Sequence, residues 1–291
     1  MAQFSQCYVA VRRPQRSCPV AAPGWEGCDR LRSLAVQYQI AESAHRQGSY
    51  RVRHDWALAG ARALTDVDIA VVVDVLSFTT TLSVATDAGI HVLPYRWSDD
   101  GALKLATEHD AVLAVGRRAA RRGQISLSPA TIRAADPPPT RLVLPSPNGS
   151  SIAHQLTSTA GIVLGACLRN ATAVAAWIDE HHEAATTRLA LISAGERWTD
   201  GTLRPAVEDL WGAGAVLSAL ADRGWRDLSP EAVMAREAHR AAASDLPDAL
   251  AACASGRELH EAGFGPDVDI AAEVDRSSSV PVLKGHVFVG G

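Results

Sequence analysis

Long hydrophobic runs are missing from this 291-residue sequence. The longest candidate, IAVVVDVL, is interrupted by Asp74, no stretch reaches the ~18 apolar residues that a membrane span needs, and no basic head with an apolar signal core opens the chain. A soluble, cytoplasmic protein without a membrane partner is expected. Paired cysteines are missing too: Cys7, Cys18, Cys28, Cys167 and Cys253 are odd in number and show neither C-x-x-C nor metal-ligand spacing. They read as buried or idle thiols rather than a disulfide framework or a zinc site. The ten histidines, His181 and His182 among them, never fall in H-E-x-x-H spacing, which leaves zinc hydrolysis without support. Neither G-x-G-x-x-G nor the P-loop signature is present, which disfavours dinucleotide and P-loop nucleotide enzymes. No internal repeat occurs, and PPP at 137–139 is the only low-complexity tract.

What remains is a globular composition, 47% hydrophobic, sufficient for one large core. Charge divides the chain unevenly. Residues 1–53 hold eight arginines (12, 13, 16, 30, 32, 46, 51 and 53) against Glu26, Asp29 and Glu42, whereas the whole chain carries −4. No sustained period appears before about Leu31. Residues 1–47 are therefore expected to form a basic, poorly ordered appendage, and residues 48–291 a single domain. The arm has no lysine, no aromatic interleaving and no recognisable motif, so no nucleic-acid partner is expected. Homo-oligomerisation is left open.

Past the arm, short β-branched runs recur near turn signals: 68–76, 90–95, 111–116, 141–146, 161–166 and 188–195. Helical patterns alternate with them, such as TTTLSVATDAG, DGALKLATEH and NATAVAAWIDEHH. This alternation predicts an α/β fold with a mostly parallel sheet flanked by helices. AVEDLWGAGAVLSALADRG and PEAVMAREAHRA then follow without a strand between them, predicting a helical insertion or cap in the C-terminal half. Strands are expected again at 267–275 (DVDIAAEVD) and 280–289.

Ligands of open α/β sheets gather beyond the carboxyl ends of the strands. After the first strand come Asp74, then Ser77, Thr79, Thr80 and Thr81 opening a helix. After RLVLP come Ser146, Asn148, Gly149, Ser150 and Ser151 opening another. Helix N-termini leave N–H groups unpaired and carry partial positive charge, so both segments read as anion cradles, with Asn148-Gly149 able to adopt positive φ. Helix capping and a tight turn explain the same residues without a ligand. The carboxylates tip the balance: Asp74 lies in an apolar strand, where a charge needs a cation, a donor cluster or a metal, and Glu208 with Asp209 begins a later helix. Three carboxylates and two cradles suit a hard cation such as Mg²⁺ and a phosphate group.

The blocks VVVDVLSFTTTLSVATDAGIHVLP, ISLSPATI, LVLPSPNGSSIA, LGACLRNATAVAAWI, LISAGERW with AVEDLWGAGAV, and GRELHEAGFGPDVDIAAEVDRSSSVPVL resemble, in order, the 2-phosphosulfolactate phosphatase family of coenzyme M biosynthesis. The resemblance runs from about residue 66 to 283. It implies Mg²⁺-dependent hydrolysis of the phosphate ester of a small sulfonated or carboxylated acid. Asp74, Glu208 and Asp209 are then expected to hold Mg²⁺ and serve catalysis. Ser77, Thr79, Thr80, Thr81, Ser128, Ser146, Asn148, Gly149, Ser150, Asn170, Ser193 and Gly195 are candidate contacts to phosphate or substrate. Direct attack by water and prior attack by an aspartate are both compatible with this set.

Two departures bear on the substrate. Ser77-Phe78 stand where the family commonly has Arg-Ala, removing a bidentate anion contact, and Arg117 replaces the acid of a G-E-R block. If the two positions are neighbours, Arg117 can restore the lost charge; Arg117 and Arg118 are candidate holders of the substrate's acidic tail, although an RRAARR run also reads as a solvated surface. Other phosphatase chemistries fit poorly. Asp74-Val75-Leu76 is not the D-x-D of haloacid dehalogenases, and the only C-x5-R match, Cys7 to Arg13, lies in the appendage. A non-catalytic small-anion binding protein on the same fold is the alternative to an enzyme.

Overall fold

The computed structural model describes residues 44–96 and 99–291. The basic appendage expected at the N-terminus lies, up to residue 43, outside the described residues, as do Cys7, Cys18 and Cys28. Cys167 and Cys253 are buried free thiols.

The apolar run before Asp74 forms β2 (Val67–Val73), in which every residue but Asp68 is buried. Parallel partners flank it on both sides, β6 (Ala160–Ala166) and β7 (Leu189–Ser193), which is why it reads as continuous aliphatic sequence. β1 (Val52–Trp56) adds to the outer side of β7. A second parallel block contains β3 (His91–Tyr95), β5 (Arg141–Pro145) and the short β4 (Val112–Leu113). An antiparallel hairpin, β10 (Pro281–Lys284) and β11 (Val287–Gly290), joins the blocks, giving the order β1-β7-β2-β6-β10-β11-β3-β5-β4.

Helices cover both faces. One face of β2, Ile69, Val71 and Val73, packs with α6 (Ala171–His181) and α7 (Val207–Asp222). The other, Ala70 and Val72, shares a core with Phe78 and Leu82 of α2 (Phe78–Asp87), Ile152 of α5 (Gly149–Leu156), and Leu142 and Leu144 of β5. α1 (Ala57–Ala63), α3 (Asp100–Glu108) and α4 (Pro129–Arg133) complete the first half. Across the hairpin the two blocks run in opposite senses, so a flat sheet would put the ends of β2 and β5 far apart. Sheet twist accumulates over the five steps between them, and the two ends meet where Gly149 N–H donates to Asp74.

After β7 a small hairpin, β8 (Glu196–Arg197) and β9 (Leu203–Arg204), leads into α7, α8 (Pro230–Ala242), α9 (Leu246–Ala252), α10 (Ala254–Glu261) and α11 (Gly265–Ala271). These helices form the expected C-terminal helical segment. The strand expected at 267–275 is instead α11 and the turn after it. Pro266 sits in the first turn, where it preorganises a helix, and Asp267, Val268, Ile270 and Ala271 are buried at helical spacing. β4 is also shorter than the 111–116 run suggested, and β1 was not expected from its polar V-R-H-D-W sequence. No helix among the described residues is long and apolar enough to cross a membrane.

Candidate active site at the ends of β2, β5 and β7

Asp74 follows β2 directly, and two helix starts close on its carboxylate. Phe78 N–H donates to Oδ1 at 3.1 Å and Gly149 N–H donates to Oδ2 at 3.0 Å. The amides expected to cradle a substrate anion thus hold the protein's own carboxylate. Thr79 fixes the same loop: its hydroxyl donates to the Asp74 carbonyl at 2.7 Å and accepts from Asp74 N–H at 2.9 Å. Thr80 donates to the Val75 carbonyl at 2.7 Å and Thr81 to the Leu127 carbonyl at 2.8 Å. All three threonines are buried with their protons committed to backbone, so they position Asp74 rather than contact a ligand.

The SPNGSS segment also differs from expectation. Asn148 has φ −98°, in the right-handed region, and Gly149 opens α5 without positive φ. Glycine is required there for closeness: a Cβ would run into the Phe78 ring and stand 2.7 Å from Asp74 Oδ2. Ser150 donates to the Leu144 carbonyl at 3.2 Å, again serving the turn. Asn148 Nδ2 donates to Glu196 Oε2 at 3.3 Å.

The second acidic pair joins this site from α7. Asp209 Oδ1 accepts from Val75 N–H at 2.7 Å and Oδ2 accepts from Gly195 N–H at 2.8 Å. The positive φ of Gly195, 63°, turns that N–H toward the carboxylate. Ser193 donates to the Asp209 carbonyl at 3.1 Å and pairs with His54 Nε2 at 2.9 Å, so Ser193 and Gly195 support Asp209. Glu208 is buried beside it. Glu196 completes the cluster and was not among the expected residues. Its signal was its place just past β7, in the G-E-R-W block.

Asp74, Asp209, Glu196 and Glu208 thus lie close enough for their charges to act on one another. Burial, with the Glu196 carboxylate adding, raises Asp74 to about 7, against the pull of its two N–H donors and Arg117. Burial, then Asp74 and Glu208, hold Asp209 well above the ordinary carboxylate range. Burial raises Glu196, with Arg204 opposing and Glu208 adding.

Arg117 is the cation that acts on Asp74, and it does neighbour Ser77. Its guanidinium donates to the Ser77 hydroxyl, and its Nε donates to Asp267 Oδ2 at 2.9 Å. Ser128 donates to the other oxygen of Asp267, so Ser128 and Asp267 hold Arg117 in place. A cavity of about 660 Å³ opens alongside, lined by Arg96, Arg117, Arg118, Ser146 and Pro147 among others. Asn170 is not brought to the cluster in a usable form. Its Oδ1 accepts from Cys167 N–H at 2.9 Å and its Nδ2 donates to the Gly165 and Ser279 carbonyls at 3.4 and 3.1 Å, which explains it as a structural residue.

The donor set suits a hard dication: carboxylate oxygens whose mutual repulsion a cation relieves. Among the described residues no three Asp, Glu, His or Cys side chains form a ready-made metal cage. Mg²⁺ commonly takes only one or two carboxylates, completing its shell with water and substrate phosphate, so the residues fit it in that mode.

The raised Asp74 has a stability consequence. Its folded-state carboxyl binds a proton more tightly than the ordinary value of 3.8, so between about pH 4 and 7 the native state carries more protons, and raising pH costs stability. His54, lowered to about 4 by burial, acts with the opposite sign in an overlapping window. Comparing wild type with Asp74→Asn cancels it. In chelator, the stability advantage of wild type over Asp74→Asn is expected to shrink by about 2 kcal/mol from about pH 5 to about pH 7.5. Denaturant melts at the two pH values giving a constant difference would contradict the raised carboxyl.

Comparison with known proteins bears on this geometry. Residues 58–286 match the family model described as 2-phosphosulpholactate phosphatase. A protein of Thermus thermophilus named "Probable 2-phosphosulfolactate phosphatase" is 33% identical over 222 residues, 76% of this chain and 90% of its own length. A protein of Deinococcus radiodurans with the same name is 30% identical over 220 residues, 74% of this chain and 88% of its own.

Proposed function

Because the chain belongs to the 2-phosphosulpholactate phosphatase family, we propose that it is a Mg²⁺-dependent phosphoric monoester hydrolase acting on a small acidic metabolite, 2-phosphosulfolactate or a related phosphorylated acid. The observation that carries this reading is Asp74, held by the starts of α2 and α5 near the carboxylates of Asp209 and Glu196 and linked through Arg117 to an arginine-lined cavity.

Asp74 and Asp209 would hold Mg²⁺, with Glu208 next to Asp209. The cation supplies charge neutralisation for the phosphoryl group and for the carboxylates when bound. The protein's own residues do the rest. Backbone N–H groups fix Asp74 so that it need not reorganise during the reaction. Arg117 faces the substrate's anionic groups from the position that Ser77 leaves open. Glu196, whose carboxyl is raised by burial, lies beside Asn148 and is the group that can exchange a proton with the leaving oxygen.

Phosphate release from 2-phosphosulfolactate and phosphoglycolate, with Mg²⁺ and with chelator, tests the reading. Metal-dependent turnover is expected, and its absence from folded wild type would leave the anion-binding alternative. Arg117→Ala is expected to raise KM for either acid about tenfold and to cost about 2 kcal/mol of stability, because Asp267 keeps its buried charge without the ion pair. Unchanged KM would remove Arg117 from the substrate site.

A further inference from the structure

We infer that Asp267, on α11, is the positioning residue for the guanidinium that meets the substrate's anionic groups, and that the place it fixes can be filled from position 77 as well as from position 117. The inference rests on the phosphatase reading and names what holds that site's cation.

Asp267 is 1% exposed, and both of its oxygens are in use. Oδ2 accepts from Arg117 Nε at 2.9 Å, while Oδ1 accepts from the Ser128 hydroxyl and from Ala130 N–H at 3.4 Å. Ser128 and Ala130 belong to the start of α4, so two elements remote in sequence, α4 and α11, fix the carboxylate independently of Arg117. Among the described residues its only ion pair is with Arg117. A buried carboxylate with a single cation keeps that cation in one geometry, since letting it go strands the charge.

Arg117 has little of its own to hold it. It opens a short turn, Arg117–Ala119, in which no residue is buried. A long side chain on such a turn has many rotamers to lose, and the two contacts at its guanidinium, to Asp267 and to the Ser77 hydroxyl, select one. Of the five N–H donors of a guanidinium, Asp267 takes one through Nε and Ser77 one through Nη2. No group among the described residues accepts from Nη1, on a residue that lines the cavity of about 660 Å³. The unused donors are those that an acid or phosphate group can take in pairs. One guanidinium thus bridges Ser77 to Asp267, so an arginine side chain starting at position 77 reaches the same carboxylate once Arg117 has vacated the space. Asp267 makes no hydrogen bond to Asp74, which Arg117 acts on, and its loss is therefore felt in binding rather than in the chemical step.

The test is a double-mutant cycle read in KM and kcat for 2-phosphosulfolactate and phosphoglycolate with Mg²⁺. Asp267→Ala is expected to raise KM about fivefold with kcat within about threefold of wild type. In the Arg117→Ala background the same substitution is expected to change KM by less than about twofold, because a residue that acts only through Arg117 has nothing left to position. Ser77→Arg is expected to bring the KM of Arg117→Ala back to within about threefold of wild type, and to fail to do so once Asp267 is also replaced by alanine. Circular dichroism checks that each variant folds, and the Ser77→Arg rescue of Arg117→Ala does not depend on the folding of Asp267→Ala. Equal effects of Asp267→Ala with and without Arg117, or no recovery on Ser77→Arg, would overturn the inference and leave the phosphatase reading intact. No phosphate release from either substrate by folded wild type would overturn the phosphatase reading itself, and this inference with it.

Discussion

Asp74→Asn is expected to lower kcat for phosphate release by roughly three orders of magnitude. Both carboxylate oxygens accept backbone N–H groups, from Phe78 at 3.1 Å and Gly149 at 3.0 Å. An asparagine can accept only one of them, because its amide nitrogen is a donor and must face a donor on the other side. The substitution therefore removes the charge and loosens one of the two helix starts that meet there, at a cost of about 1–3 kcal/mol for the stranded N–H. Asp74→Ala strands both. Initial rates at saturating substrate and Mg²⁺, with melting curves to show that the variant is folded, measure the effect. Activity within about tenfold of wild type would mean that Asp74 is a structural residue and that the chemistry lies elsewhere.

Gly149→Ala is expected to be nearly as damaging, although it adds a single methyl group. The new Cβ would meet the Phe78 ring and lie 2.7 Å from Asp74 Oδ2. Neither neighbour can retreat: Phe78 is fully buried, and Asp74 is tied from both sides. Overpacking of this kind costs about 1–3 kcal/mol, and it displaces the carboxylate on which the site depends, so kcat/KM is expected to fall about a hundredfold. The control is Gly48→Ala, where an added Cβ meets nothing within 4 Å and stability is expected to change by less than about 0.5 kcal/mol. Equal behaviour of the two variants in rate and melting assays would refute the close-approach argument.

What could be read ahead of the structure follows a physical pattern. β2, β5, β6 and β7 were legible because strands buried on both faces are near-continuous apolar runs. β1 was not, because most of its polar groups are satisfied by partners outside the strand. Arg53 donates to the Arg46, Thr65 and Asp66 carbonyls, and His54 pairs with Ser193. α11 was misread because the alternation in D-V-D-I is too short to separate a period of two from 3.6. At the site, Asp74 stood out since a carboxylate after an apolar strand must find donors. The source of those donors was invisible, so amides assigned to a ligand turned out to serve Asp74, and the Thr79, Thr80 and Thr81 hydroxyls to serve the backbone. Glu196 and Asp267 acquire meaning only through neighbours remote in sequence. The approach of Arg117 to Ser77 across forty residues was a question the sequence could pose and not answer.

The hairpin at the centre of the sheet sets a clock for biosynthesis. Phe288 of β11 pairs with Val92 of β3, nearly two hundred residues earlier, and Val282 of β10 pairs with Leu164 of β6. At roughly 5–20 residues per second of synthesis, the edge of β3 waits about ten to forty seconds for its partner. Until residue 290 is made, the nascent chain carries two half-sheets with open inner edges, each a template for pairing with the wrong strand. The two inner edges close only when the last strands arrive, so slower synthesis of the final residues is expected to lengthen the interval in which the nascent chain can mispair.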